Sequence, residues 1–132
     1  MSNPSFLKSL FLISGAILGF LGVILGAFAS HRLKQTISPE QLISFETGVR
    51  YQMYHALALI LTGLLIHVFR GNFLDFAGIC FLSGTLLFSG SIYLLVLKNW
   101  KFLWPITPLG GVILIIGWFL LILRFVTQKL TI

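Results

Sequence analysis

Four stretches of this chain, each about twenty residues long, contain no lysine, arginine, aspartate or glutamate. They run from Ser9 to about Ser30, about Tyr51 to Phe69, Phe76 to Leu97, and Phe102 to Leu123. A helix rises 1.5 Å per residue, so about twenty residues cover the roughly 30 Å hydrocarbon core of a bilayer. Within lipid every backbone N–H and C=O must be paired internally, which leaves the helix as the form for such segments. The chain is 58% hydrophobic and 9% charged, against about a quarter charged in soluble proteins. A globule of 132 residues has too little interior to hide that much apolar surface. The expected fold is therefore all-α: one integral membrane four-helix bundle over residues 1–132, embedded in the lipid bilayer.

The net charge of +6 does not point to nucleic acid. The basic residues flank the apolar runs, where they can meet lipid headgroups, and no basic cluster with interleaved aromatics exists. Four spans put both termini on one side, side A, flanked by Lys8, Arg70, Arg124 and Lys129. Side B carries Arg32, Lys34, Arg50, Lys98 and Lys101. That balance gives no orientation under the positive-inside rule. Cys80 is the single cysteine, which excludes an intrachain disulfide and a multi-cysteine metal site. Lys8, the following apolar run and Ala27-Phe28-Ala29 imitate a cleavable signal peptide. The run is about twenty residues, against roughly 7–15 for a signal core, so it reads as a retained first span.

Glycines mark helix contacts. Gly15, Gly19, Gly22 and Gly26 recur at intervals of four, three and four, within a stripe of about 60° on a helix. Gly84 in the third span, beside Ala77, Cys80 and Ser91, and Gly110 and Gly117 in the fourth extend the pattern. Small residues at this spacing let membrane helices approach closely. The stripe suits either packing within the bundle or a subunit interface in a homo-oligomer.

The segment Ser38–His55 (SPEQLISFETGVRYQMYH) concentrates polar residues between those runs. Ser38-Pro39-Glu40-Gln41 predicts a helix start: a capping serine, proline at the first position and glutamine completing a capping box. Leu42, Phe45, Val49, Met53 and Ala56 then give one apolar face, predicting an interfacial amphipathic helix over about 39–50 that bends or runs straight into the second span. Glu46 and Arg50 form an i,i+4 pair with Tyr54 on the same stripe; Thr47, Tyr51 and His55 form the adjacent one. Topology brings His31, Ser89, Ser91, Tyr93, Trp104, Thr107 and Pro108 to the same side-B end.

This expected layer of His31, Glu46, Arg50, Tyr51, Tyr54, His55, Ser89, Ser91, Tyr93 and Thr107 has three readings. It is a lid, with Glu46, Arg50 and His31 fixing the 31–50 loop. Or it is a cavity for a lipid headgroup, quinone or other amphiphile. Or His31 and His55 are axial or metal ligands with Glu46, although no HxxxH or CxxC spacing supports that. No cofactor or metal is assigned. GxSxG, HExxH, a phosphate loop and paired acid–base carboxylates are all missing, so the expected protein is not an enzyme.

Gly26-Ala27-Phe28 ending in His31-Arg32-Leu33, and then Phe45-Glu46-Thr47-Gly48-Val49-Arg50-Tyr51-Gln52-Met53-Tyr54-His55-Ala56-Leu57-Ala58, resemble the hallmark of the family called domain of unknown function 423. Its animal relatives are known as transmembrane protein 256. Leu87–Tyr93 and Ile106–Gly111 resemble the family's later blocks, and Ala29-Ser30 stands where the family often reads Gly-Ala. The resemblance covers nearly the whole chain and implies a four-helix protein of the bacterial cytoplasmic membrane, with no established activity. Two functions are carried forward. One is association, with itself or within a larger membrane complex, motivated by the glycine stripe. The other is a small transporter or lipid- or amphiphile-binding protein using the layer around His31, Glu46, Arg50 and His55. An exporter of the proton-coupled kind needs a membrane-embedded carboxylate, and here only Glu46 dipping into side B would supply one.

Overall fold

The computed structural model describes residues 3–69 and 71–128. Four long helices, α1 (Pro4–His31), α2 (Pro39–Val68), α3 (Asn72–Lys98) and α4 (Ile106–Thr127), are joined by short turns. Each is long and apolar enough to cross a membrane. Their outward faces carry large apolar side chains, among them Phe20, Leu64 and Ile115, each more than half exposed. Such faces are stable only against lipid. Arg70 and Lys129, counted on side A, lie outside the described residues.

Local chemistry sets the helix ends. Asn3 caps α1 by accepting from the Ser5 amide at 3.1 Å. At Ser38 the capping box is formed: the Gln41 amide donates to Ser38 Oγ at 3.2 Å, and the Ser38 amide donates to Gln41 Oε1 at 3.1 Å. From there α2 runs as one helix of 30 residues, about 45 Å long at 1.5 Å per residue. The amphipathic segment 39–50 is thus the first three turns of the second span, continuous with it. Asn99 ends α3 in the left-handed conformation (φ 55°), which asparagine tolerates better than other non-glycine residues. A 3₁₀ turn at Lys101–Leu103 precedes α4. Pro108 falls in the first turn of α4, where its missing N–H leaves no hydrogen bond unmade.

The helices pack in chain order: α1 on α2, α2 on α3 and α3 on α4, with α1 also touching α3. Gly15, Gly22 and Gly26 of α1 all face α2. A Cβ added at Gly15 would lie 2.8 Å from the Ala56 carbonyl oxygen, and one at Gly22 would lie 2.5 Å from Met53 Sδ. Gly19 is roomier, with Ala56 Cβ at 3.9 Å. The stripe is therefore filled from within the chain, and a homo-oligomer cannot use it without unpacking α2. On the other side Gly84 meets Leu114, Gly117 meets Phe81, and Gly110 sits on the backbone of Phe88. Gly48 against Tyr93 and Gly78 against Phe11 are further close approaches, and the sequence pattern did not single them out.

Two cores result. The main one joins Phe11, Leu18, Leu59, Leu74, Phe81, Leu114 and Leu121 across all four helices. A smaller one at the side-B end holds Ala29, Leu33 and Phe45, with Ile37, Leu42 and Tyr93 against it. Leu33 lies in a 3₁₀ turn after α1, so its burial with Phe45 folds the 31–38 connection back onto the bundle. Apolar contact holds this connection, in place of the expected lid of Glu46, Arg50 and His31.

Candidate functional site

The polar residues of α2 divide between two destinations. Gln52 is 3% exposed and donates from Nε2 to the Leu18 carbonyl at 2.8 Å, while its Oε1 accepts from the Tyr93 hydroxyl at 2.7 Å. Leu18 lies in the first apolar run, so this amide is buried inside the bundle. His55 is also buried. Its Nδ1 lies 2.7 Å from the Tyr51 carbonyl, and Trp118 Nε1 lies 3.0 Å from its Nε2. The indole nitrogen is only a donor, so Nε2 accepts and the proton of the neutral ring is on Nδ1. Both ring nitrogens are thereby engaged. Ser89 donates to the Gly48 carbonyl at 2.7 Å, and Ser91 shares a 2.6 Å hydrogen bond with Thr107. Ser89, Ser91, Tyr93, Thr107 and His55 therefore tie α2, α3 and α4 together.

His31, Glu46, Arg50 and Tyr54 are elsewhere. All four are exposed. Glu46 and Arg50 make no ion pair, and among the described residues Arg50 reaches only Thr47 Oγ1, at 3.5 Å. His31 is at the C-terminal end of α1, where a basic side chain complements the helix dipole. His55 lies one turn past Tyr51 on the continuous α2, about 24 Å along the helix from Pro39. The expected single layer around His31, Glu46, Arg50 and His55 does not form, because successive helix residues are about 100° apart. Glu46 and Arg50 fall on the outward face. Joint ligation by His31 and His55 fails because His31 is exposed at the end of α1 while His55 is buried, with Trp118 on its Nε2. Among the described residues no three His, Cys, Asp or Glu side chains cluster.

What the neighbouring stripe of α2 does line is a groove. Because α4 packs along α3 and meets α2 chiefly through Trp118, α2 and α4 stand apart over α3. At the side-B end the gap is a cavity of about 680 Å³, and it continues inward as one of about 370 Å³; Phe88 and Pro108 line both. The α2 wall is Glu40, Ser44 and Thr47, then Tyr51 and His55, residues three or four apart and so on one helix face. The floor is Phe88, Ile92, Leu95 and Asn99 of α3 and its end. The opposite wall is Trp104, Thr107 and Pro108, then Gly111, Ile115 and Trp118. Polar side chains gather at the mouth and aromatic and aliphatic ones inside. The His55–Trp118 hydrogen bond closes the deep end.

Sequence reasoning placed Tyr51, His55 and Thr107 in a shared region but missed Gln52 and Trp118. Gln52 carried a readable signal. It lies four residues before Ala56 and seven after Phe45 on the face expected to be apolar, and an amide there needs an internal partner. Trp118 carried none, since a tryptophan in a span is ordinarily read as apolar surface or interfacial anchor.

The whole-chain comparisons agree with this architecture. Residues 25–111 match the family described as Protein of unknown function (DUF423), a stretch that runs from the end of α1 to the start of α4. The chain is similar to the UPF0382 membrane protein SAB0533 of Staphylococcus aureus (strain bovine RF122 / ET3-1), 44% identical over 86% of this chain and 93% of the relative. It is similar to the UPF0382 membrane protein YwdK of Bacillus subtilis (strain 168), 42% identical over 88% of this chain and 95% of the relative. A third relative, UPF0382 membrane protein SH2409 of Staphylococcus haemolyticus (strain JCSC1435), is 40% identical over 86% and 93%. No solved structure matches. With four membrane-length helices and a match over most of its length, the chain is a membrane protein and belongs to the Protein of unknown function (DUF423) family.

Proposed function

We propose that this protein is a non-enzymatic binding protein of the bacterial cytoplasmic membrane, holding one amphiphile in the groove between α2 and α4. The observation that carries the reading is the gradient along that groove. Glu40, Ser44 and Thr47 stand at the mouth, Tyr51 and Ile115 within, and a closed hydrogen bond at the bottom. An apolar pocket with a few convergent polar groups is the usual form of a small-molecule site, and volumes of about 300–1,000 Å³ are typical. The cavities of about 680 and 370 Å³ lie in that range, and the exposed apolar residues Val112 and Ile115 along the groove suit entry from the bilayer, the source of amphiphiles.

Association loses the feature that motivated it, since α2 occupies the glycine stripe. Proton-coupled export loses its carboxylate, because Glu46 is on the exposed stripe. Binding without coupled transport is what remains. Native mass spectrometry of protein extracted in mild detergent tests the reading. The expected result is one retained amphiphile per chain, lost when Ser44→Trp or Gly111→Leu fills the groove. Protein that retains no amphiphile, or retains it equally in both variants, refutes the proposal.

A further inference from the structure

The mouth of the groove carries opposite charges on its two walls. Glu40, one of only three acidic residues in the chain, stands on the α2 wall, and Lys101 stands on the wall leading to α4. Both are exposed, and no ion pair joins them. The space between a separated carboxylate and ammonium is complementary to a headgroup that itself carries both charges. Resting on the amphiphile reading above, we propose that the occupant is a zwitterionic, primary-amine phospholipid, its ammonium at Glu40 and its phosphate at Lys101.

Three features of the mouth favour this headgroup over the alternatives. An anionic headgroup with no cation would satisfy Lys101 but bring its negative charge toward Glu40, a like-charge approach that weakens binding. A quaternary ammonium has no N–H to donate, whereas the α2 wall beside Glu40 offers the acceptor hydroxyls of Ser44 and Thr47. Choline recognition also calls for a cage of several aromatic faces, and Trp104 is the single tryptophan at the mouth. Below the mouth, Ile92, Leu95 and Phe88 provide the apolar floor for an acyl chain, and this is what commits the site to a lipid in place of a free headgroup compound.

The test is competitive retention. Protein is reconstituted in vesicles of equimolar phosphatidylethanolamine, phosphatidylglycerol and phosphatidylcholine, extracted in mild detergent and read by native mass spectrometry. One phosphatidylethanolamine per chain is expected, preferred over phosphatidylglycerol by about two- to fivefold, the range that an exposed ion pair supports. Glu40→Gln abolishes that preference while total retention persists, and Lys101→Gln weakens retention of all three. Glu40 is exposed, so far-ultraviolet circular dichroism of Glu40→Gln matches the parent. Equal or greater retention of phosphatidylglycerol or phosphatidylcholine, or a preference that survives Glu40→Gln, overturns the headgroup assignment and leaves the groove reading standing. Absence of any retained lipid overturns both. Displacement of the lipid by an equal concentration of soluble phosphoethanolamine overturns the commitment to a lipid, because the chain would then contribute nothing.

Discussion

Removing the amide of Gln52 tests whether the buried hydrogen bonds hold the bundle together. Gln52 makes two short bonds, to the Leu18 carbonyl at 2.8 Å and from the Tyr93 hydroxyl at 2.7 Å, and so links α1, α2 and α3 through one side chain. Side-chain hydrogen bonds between membrane helices average about 0.6 kcal/mol and reach about 1.7. An orphaned buried polar group adds about 1–3 kcal/mol of desolvation cost. Gln52→Leu loses both bonds and leaves the Tyr93 hydroxyl with Ser89 as its remaining side-chain neighbour, for an expected loss of about 1–3 kcal/mol. Tyr93→Phe loses one bond and strands Gln52 Oε1, for about 1–2 kcal/mol. Its ring keeps the contact with Phe45, whose centroid is 4.9 Å away.

The double variant separates the bond from the packing. It strands neither group, because the Leu18 carbonyl keeps its partner within α1. Its cost should fall short of the sum of the singles by about 1–1.7 kcal/mol, the upper half of the range for a membrane hydrogen bond. Reversible unfolding in mixed micelles of increasing dodecyl sulfate fraction, followed by circular dichroism, gives the four free energies of the cycle. Additivity to within about 0.3 kcal/mol would refute the coupling and reduce Gln52 to a shape-filling residue.

Other substitutions discriminate among the contacts by the same unfolding measurement. Gly110→Ala drives a methyl into the backbone of Phe88, which cannot rotate away, so a loss of about 1–3 kcal/mol is expected. Gly90→Ala meets nothing within 4 Å and should instead gain about 0.5–1 kcal/mol from helix propensity; equal effects at the two sites would contradict the packing described. Thr85 Oγ1 is buried without a hydrogen-bond partner among the described residues, so the near-isosteric Thr85→Val is expected to stabilise by about 1 kcal/mol. A comparable destabilisation would reveal a bound water at that hydroxyl. Glu46→Gln and Arg50→Gln should each change stability by no more than about 0.5 kcal/mol, and a loss above about 2 kcal/mol from either would restore the lid.

Much of the fold was legible because the signals were long. Four uncharged runs dictate four helices through backbone satisfaction in lipid, and the capping box at Ser38 is a local motif that needs no tertiary context. The glycine stripe announced a close contact, but its partner was not readable: a stripe records that something approaches, and either α2 or a second chain meets that requirement. The groove was less legible still. It exists because α4 packs along α3 and leaves α2 exposed to it, and that choice rests on side-chain fits such as Gly110 against Phe88 and Gly117 against Phe81, which no periodicity encodes. The sequence reading also favoured charge as the mark of a site, and so selected Glu46 and Arg50 over Gln52 and Trp118.

The position of Glu46 and Arg50 has a physical reason that also explains the groove. At about 45 Å, α2 exceeds the roughly 30 Å apolar core by enough that its first turns must stand among headgroups and water. Glu46 is seven residues from Pro39, about 10 Å along the axis and inside that overhang, while Arg50, at about 16 Å, stands at its inner edge. Within that zone a charge needs no protein partner, and the long arginine side chain can extend toward the headgroups. The same overhang puts Glu40 and Ser44 at headgroup depth on the face turned toward α4. Farther along that face, where Tyr51 and His55 enter the apolar core, charge disappears and each polar atom of His55 is matched. One helix face thus passes through every layer of half a membrane, and the chemistry along it changes in step with the depth at which an amphiphile would present each of its parts.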